Sequence, residues 1–229
     1  MKRFYRQAAA RPADGGWEIA LDARPVRTPA RNKLAVPSAA LAEAVAAEWN
    51  AQGEKVEPRS MPLTGLANAA IDHVAADREI FARNLATYGE SDLLCYRAEE
   101  PPTLAARQDV TWDPILAWAR RRFGVDFEIV AGVMHRPQPE ATLASLCAAV
   151  AARPPFALAG LSPLVTIAGS LVIGLALADD AIGLDAAWAA ATLDERWQAE
   201  QWGEDAEAAA VIEARRRDFA AGYRFLKLL

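Results

Sequence analysis

The chain has 229 residues, 53% of them hydrophobic, and a formal charge of −5. That is ample for a sizeable core, as one large domain or two small ones, and the mildly acidic balance argues against a nucleic-acid surface. The two cysteines, Cys95 and Cys147, have no CxxC spacing and read as reduced, packed residues of a cytosolic-type protein.

MKRFYRQAA carries no apolar core behind its positive charges, so no secretory signal is expected. Residues 1–36 read as a small sheet. Short runs (RFYRQAAA, WEIALD, PVRTP, KLAVP) are separated by Gly, Asp and Pro, with Trp17, Ile19 and Leu21 alternating onto one face. Ser38 caps a helix, AALAEAVAAEWNAQ, that stops at Gly53. Glu48 and Trp49 sit on its Leu41 side, and Glu48 reads as an ordinary amphipathic edge.

Residues 56–62 are rich in proline and read as an extended linker, which places a domain boundary near residue 58. The expected division is a β-rich part with one helix over 1–58, then a helical domain over 59–229. A helix opens at Pro62 or Thr64 and is expected to run to about Tyr88. Leu93, Leu94 and Tyr96 read as a short buried element, and Arg97, Glu99 and Glu100 as a charged cluster. Asp113 followed by Pro114 has the form of an N-cap and N1 pair, so a helix start is expected there. VDFEIVAG reads as a strand, and a helix is expected over 140–152.

Residues 156–178 contain no charged side chain, a length able to cross a bilayer at ~1.5 Å per residue. Interruption by Pro163, Gly160, Gly169 and Gly174, without aromatic belts at the flanks, favours a buried central helix beginning near Ser162 and Pro163. No stable membrane insertion is expected.

The densest stretch follows, TLDERWQAEQWGEDAEA over 192–208. Read as one helix over 188–202, it places Glu195, Ala199 and Trp202 each within about 40° of Trp188 on one stripe, with Leu193 and Trp197 opposite. A helix apolar on both sides is either sandwiched or offers one side to a partner. Gly203 ends it, and Glu204, Asp205 and Glu207 load the first turn of a last helix, where the macrodipole favours negative charge. That last helix repeats Ala208, Val211, Ile212, Arg215, Phe219, Gly222 and Leu226 at helical spacing. Arg215, Arg216 and Arg217 read as a solvated basic face.

Motifs of catalysis are missing. The sequence has no phosphate-binding Gly loop, no GxSxG, no HExxH, and only two histidines, His73 and His135. The enzymatic alternative is a carboxylate site of Glu195, Glu200, Glu204, Asp205 and Glu207, binding Mg²⁺ or working in acid–base pairs. The residues alone favour a soluble binding protein, α+β in class, with a small β-rich part followed by a larger helical domain.

Taken together, RFYRQ, WEIALDARPVRTP, KLAVPS, LAEAVAAEW, MPLTGLANAAID, LLCYRAEEP, WDPILAW and LDERWQAEQWGEDAEA resemble the family of assembly chaperones that bind the α subunit of F-type ATP synthase in mitochondria and α-proteobacteria. The resemblance covers almost the whole chain. It implies a protein without catalysis or cofactor, acting as a monomer in the bacterial cytosol. Such a protein holds the free α subunit and covers its β-facing surface until a β subunit docks. It also implies a critical acidic residue in the late block, which Glu195 matches best, with Glu204 and Glu207 as further candidates. The expected partner-binding set is Glu195, Trp197, Gln198, Trp202, Glu204 and Glu207. Trp49 matches a tryptophan tied to the family's integrity, and Trp49, Asp113 and Gly203 are expected to be structural.

Overall fold

A computed structural model describes residues 2–203 and 206–229. It is α+β, and its chain contacts separate into two units. Unit 1 comprises residues 1–78, 154–160 and 224–229, and unit 2 comprises 79–153 and 161–223. The expected boundary near residue 58 falls inside unit 1.

Unit 1 opens with β1 (Ala8–Ala13) and β2 (Gly16–Leu21), antiparallel, turning at Asp14 and Gly15. The short strands β3 (Arg24–Pro25) and β4 (Ala35–Val36) both pair with β2. Ile19 and Leu21 are buried in one cluster with Leu41, Ala42 and Val45 of helix α1 (Ala39–Asn50), but Trp17 is only half-buried and Ala20 is buried as well, so burial along β2 does not alternate. Ser38 caps α1 as expected, its hydroxyl accepting from the Leu41 amide at 3.0 Å. The same hydroxyl donates to the Leu228 carbonyl. Trp49 is half-buried against this core, edge-on to Tyr5, whose hydroxyl donates to the Trp49 carbonyl.

The expected linker contains a 3-10 turn, Pro58–Ser60, before helix α2 (Pro62–Ala69). Glu48 is not an ordinary helix edge. Met61 gives α2 no side-chain cap, and Glu48 supplies one from α1. Its two oxygens accept from the Leu63 and Thr64 amides at 2.8 Å each, and from the Thr64 hydroxyl at 2.7 Å. Nor does one helix run on to residue 88. The segment widens to a π-turn at Ala70–Val74 and restarts as α3 (Arg78–Ala86). The wide turn offers the Asp72 carboxylate to the loop after β3, where it meets Thr28, Ala30 and Asn32.

Unit 2 is helical. Asp113 does not start a helix: α4 runs from Pro102 to Phe123, with Pro102 at its first position and Pro114 inside it. The buried stripe of Gln108, Trp112, Ile115, Leu116 and Ala119 runs straight through, so packing overrides the signal at Pro114. Asp113 pairs instead with the buried Arg97 at 2.6 Å. Arg97 therefore turns to α4, stacking over Trp112, rather than to Glu99 and Glu100. The expected strand over 125–132 shrinks to β6 (Val130–Ala131), paired in parallel with β5 (Tyr96–Arg97). Side chains replace a neighbouring strand: Thr142 bonds the Asp126 backbone and Gln138 that of Glu128, on both amide and carbonyl.

Helix α5 spans Glu140–Ala151. The apolar stretch forms two helices, α6 (Pro155–Ala168) and α7 (Leu171–Ala178), broken at Gly169 with φ 64° and recapped by Ser170. Pro163 lies within α6 rather than at its start. Residues Leu171 to Leu177 are all buried, and no helix among the described residues is long and apolar enough to cross a membrane. Asp92, fully buried, accepts from the Leu94 and Val172 amides and so ties the segment before β5 to the start of α7.

The remaining helices are α8 (Leu184–Ala191), α9 (Leu193–Trp202) and α10 (Ala206–Lys227). The single helix expected over 188–202 is interrupted at Thr192, at φ −115° and ψ 18°. Its hydroxyl donates to the Trp188 carbonyl at 2.8 Å, a local bond that competes with helix continuation. Gly203 ends α9 at φ 89°, a conformation open chiefly to glycine.

Candidate functional site

The break at Thr192 splits the expected stripe. Trp188 is buried against Phe219, with ring centroids 5.5 Å apart, and Trp202 is 79% exposed. Glu195, Ala199 and Trp202 stay on one face of α9, and they look onto the first half of α10. Between them lies a groove of about 560 Å³, lined chiefly by Glu195, Ala199, Trp202, Ala208, Val211 and Ile212. Gln198, Gly203, Glu207 and Arg215 complete its rim.

Amphipathic packing explains why this groove stays open. No residue of α9 is fully buried, and on α10 the buried positions begin at Phe219. Val211, 56% exposed, joins Trp202 in an apolar patch, where an isolated domain would place polar side chains.

The opposite face of α9 is held. Trp197 is half-buried beneath the Arg107 guanidinium of α4, 4.7 Å from the ring centroid. Arg107 also pairs with Glu200 at 2.6 Å, and Gln108 donates to Asp194 at 2.8 Å. Trp197 thus anchors α9 from behind while Trp202 faces the groove. A helix apolar on two sides has one side packed and one side offered.

Charge at the groove centres on Glu195. The Arg215 guanidinium donates to its Oε1 at 2.6 Å and to the Ile167 carbonyl at 3.1 Å. Glu195 Oε2 is buried and has no hydrogen-bond partner among the described residues. Arg215 is therefore no member of a solvated basic face, and Arg216 pairs with Asp185 at 3.1 Å. Sequence reasoning missed Arg215 as the partner of Glu195, although its place on the apolar stripe of α10 was a usable signal. Nothing local announces Arg107.

Two carboxylates of the alternative metal site, Glu195 and Glu200, turn to different helices. Glu195 turns to α10 and Glu200 to α4, each onto an arginine. Glu204 and Asp205 lie outside the described residues. Among the described residues no group of three or more His, Cys, Asp and Glu side chains could hold a metal ion. Burial pushes the Cys95 thiol up to about 12, which leaves it inert.

The pattern of the ATP12 chaperone protein family matches residues 2–120, which is more than half of the chain. The chain belongs to the ATP12 chaperone family. Solved structures agree over almost its whole length. The crystal structure of Atp12 from Paracoccus denitrificans is 41% identical, with TM-score 0.94, covering 99% of this chain and 97% of that one. A structure from Agrobacterium tumefaciens is 43% identical, with TM-score 0.95, covering 99% of this chain and 85% of that one. The mitochondrial protein atp12 of Schizosaccharomyces pombe is 24% identical over 214 residues, 88% of this chain and 74% of that protein. The match to residues 2–120 ends before α9. The groove therefore lies in the part of an ATP12 chaperone that the family pattern does not reach, yet the solved relatives share its fold.

Proposed function

We propose that this ATP12-family chaperone holds the free α subunit of F-type ATP synthase and covers its β-facing surface until a β subunit replaces it. The reading makes the groove between α9 and α10 the client surface. The observation that carries it is Trp202, 79% exposed beside Val211 on a helix anchored from behind. A large aromatic at the centre of an apolar patch is the usual form of a binding anchor. An unassembled subunit exposes apolar surface prone to aggregate, and a chaperone must cover it yet release it.

Glu195 supplies the polar element. Its side chain is partly exposed on the groove wall and presents its negative charge to an arginine or a backbone amide of the client. Gln198 and Glu207 lie on the rim of the same groove and complete the contact. The protein acts as a monomer in the cytosol of a bacterium, without nucleotide or metal.

The test is capture of the α subunit from an α-proteobacterial lysate without added nucleotide. Wild-type protein is expected to bring it down, and Trp202→Ala to lose it. Capture of α by both moves the site elsewhere. Absence of α with wild type sinks the assignment of the client.

A further inference from the structure

The two units differ in charge. Unit 1 carries thirteen basic and nine acidic side chains, a formal +4, and unit 2 carries twelve basic and twenty-one acidic, −9. The excess in unit 1 concentrates after β2. Residues 23–42 contain Arg24, Arg27, Arg31 and Lys33 and no carboxylate. All four cations are exposed, and none makes an ion pair among the described residues.

These cations sit on a fixed turn. Arg27 and Lys33 face each other across a β-bridge, and the Arg27 guanidinium donates to the Arg31 carbonyl at 2.8 Å. Thr28 and Asn32 close the turn, the Thr28 amide donating to the Asn32 carbonyl at 2.9 Å. Asp72 then pins it from the π-turn. Its carboxylate takes the Thr28 hydroxyl at 2.6 Å, the Asn32 amide group at 2.9 Å and the Ala30 backbone amide at 3.0 Å.

Arg31 stands at φ 68°. That left-handed conformation favours glycine or asparagine and strains an arginine. Packing does not call for arginine there, since the side chain is exposed. A strained cation held outward, with no ion-pair partner among the described residues, is the mark of a contact made elsewhere.

We infer that the basic turn of residues 27–33 docks an acidic, extended segment of a partner polypeptide. This does not depend on the assignment of the client or of the groove. Two other anionic partners fit less well. No aromatic residue occurs between Glu18 and Glu48 on which nucleic-acid bases could stack. Val26 and Leu34, the apolar residues flanking the turn, are buried in unit 1, so neither is free to enter a bilayer. Carboxylates on an extended chain need only the rigid spacing of cations that the turn supplies.

The probe is a fluorescent oligoglutamate peptide, titrated with full-length protein at low and at physiological salt. Wild type is expected to bind, more weakly as salt rises. Arg27→Gln with Arg31→Asn and Lys33→Gln is expected to bind about tenfold more weakly or worse. The asparagine keeps the left-handed turn, so this variant should melt as wild type does. A second triple variant, Arg11→Gln with Lys55→Gln and Arg59→Gln, removes as much charge elsewhere in unit 1 and should bind normally. Equal weakening of both triple variants, or of neither, overturns the proposal. So does turn-dependent binding to phosphatidylglycerol vesicles or to oligothymidylate in place of the peptide.

Discussion

Arg215 of α10 reaches back to Glu195 of α9 and holds one of its two carboxylate oxygens at 2.6 Å, while the other oxygen is buried and has no hydrogen-bond partner among the described residues. The pair is partly exposed, so its contribution to stability is at most about 1 kcal/mol. Glu195→Gln and Arg215→Gln should each cost that much, read as a small drop in melting temperature. Their effects on the client should differ. Glu195→Gln is expected to lose the α subunit, because the acceptor charge is gone. Arg215→Gln frees the carboxylate and should bind at least as well as wild type. Equal loss in both variants, measured by capture of the α subunit, would make the ion pair itself the required element.

Trp202→Ala separates binding from folding. The indole is mostly exposed, so its removal should change stability by no more than about 0.5 kcal/mol. As a binding anchor it should contribute about 2 kcal/mol or more to client affinity, roughly thirtyfold. Trp197→Ala is the contrast. That ring lies beneath Arg107 and fixes α9 to α4, so its loss should lower the melting temperature and the affinity together. A Trp202 variant that melts well below wild type would mean the ring packs in solution, and the groove would lose its anchor.

Much of the fold was legible because it rests on local chemistry. Ser38 as a cap, Asp14 and Gly15 in a turn, Gly203 as a stop and the apolar run ending at Ala178 all announce themselves in sequence. What stayed hidden depends on partners distant in the chain. Pro114 resembles a helix start until Pro102 is seen to begin the same helix. Glu48 reads as surface until α2 is found without a cap of its own. VDFEIVAG has the alternation of a strand, yet Thr142 and Gln138 satisfy its backbone. At the site, the face of Glu195, Ala199 and Trp202 was readable from helical spacing. Trp188 left that stripe because Thr192 bends the chain, and Arg215 joined it from twenty residues away.

Asp92 should make stability depend on pH. It is fully buried, and burial outweighs its hydrogen bonds from Ser170, Val172 and Leu94, raising its pKa from 3.8 to about 6. Unfolded, the same carboxyl titrates near its ordinary value. Between about pH 4 and 6 the folded state therefore binds the extra proton, and stability falls as pH rises through that window. Above it the loss is complete, on the order of 3 kcal/mol. Denaturant melts at pH 4.5 and 7 should show this component in wild type. Asp92→Asn should remove it, while costing stability at both pH values, because its amide nitrogen meets an amide donor. An identical pH profile in the variant would assign the titration to another group.

Gly174 tests how closely α6 and α7 approach. A Cβ built there would lie 2.5 Å from Cγ2 of Val165 and 3.4 Å from the Val165 backbone nitrogen. The first contact is a side chain that can be shortened, and the second is backbone that must shift. Gly174→Ala gains helix propensity of roughly 1 kcal/mol, but the overlap should outweigh it and leave a net loss of about 1–2 kcal/mol. For a chain of this size that is a drop of about 2–8 °C in melting temperature. Val165→Ala alone opens a cavity and should also destabilise, by about 1–3 kcal/mol. Combined, the methyl added by Gly174→Ala occupies the space Val165 vacates, so the double variant should be more stable than the sum of the two losses. Simple additivity would show that the helices move apart in solution to admit the methyl, and that close approach at Gly174 does not fix their spacing.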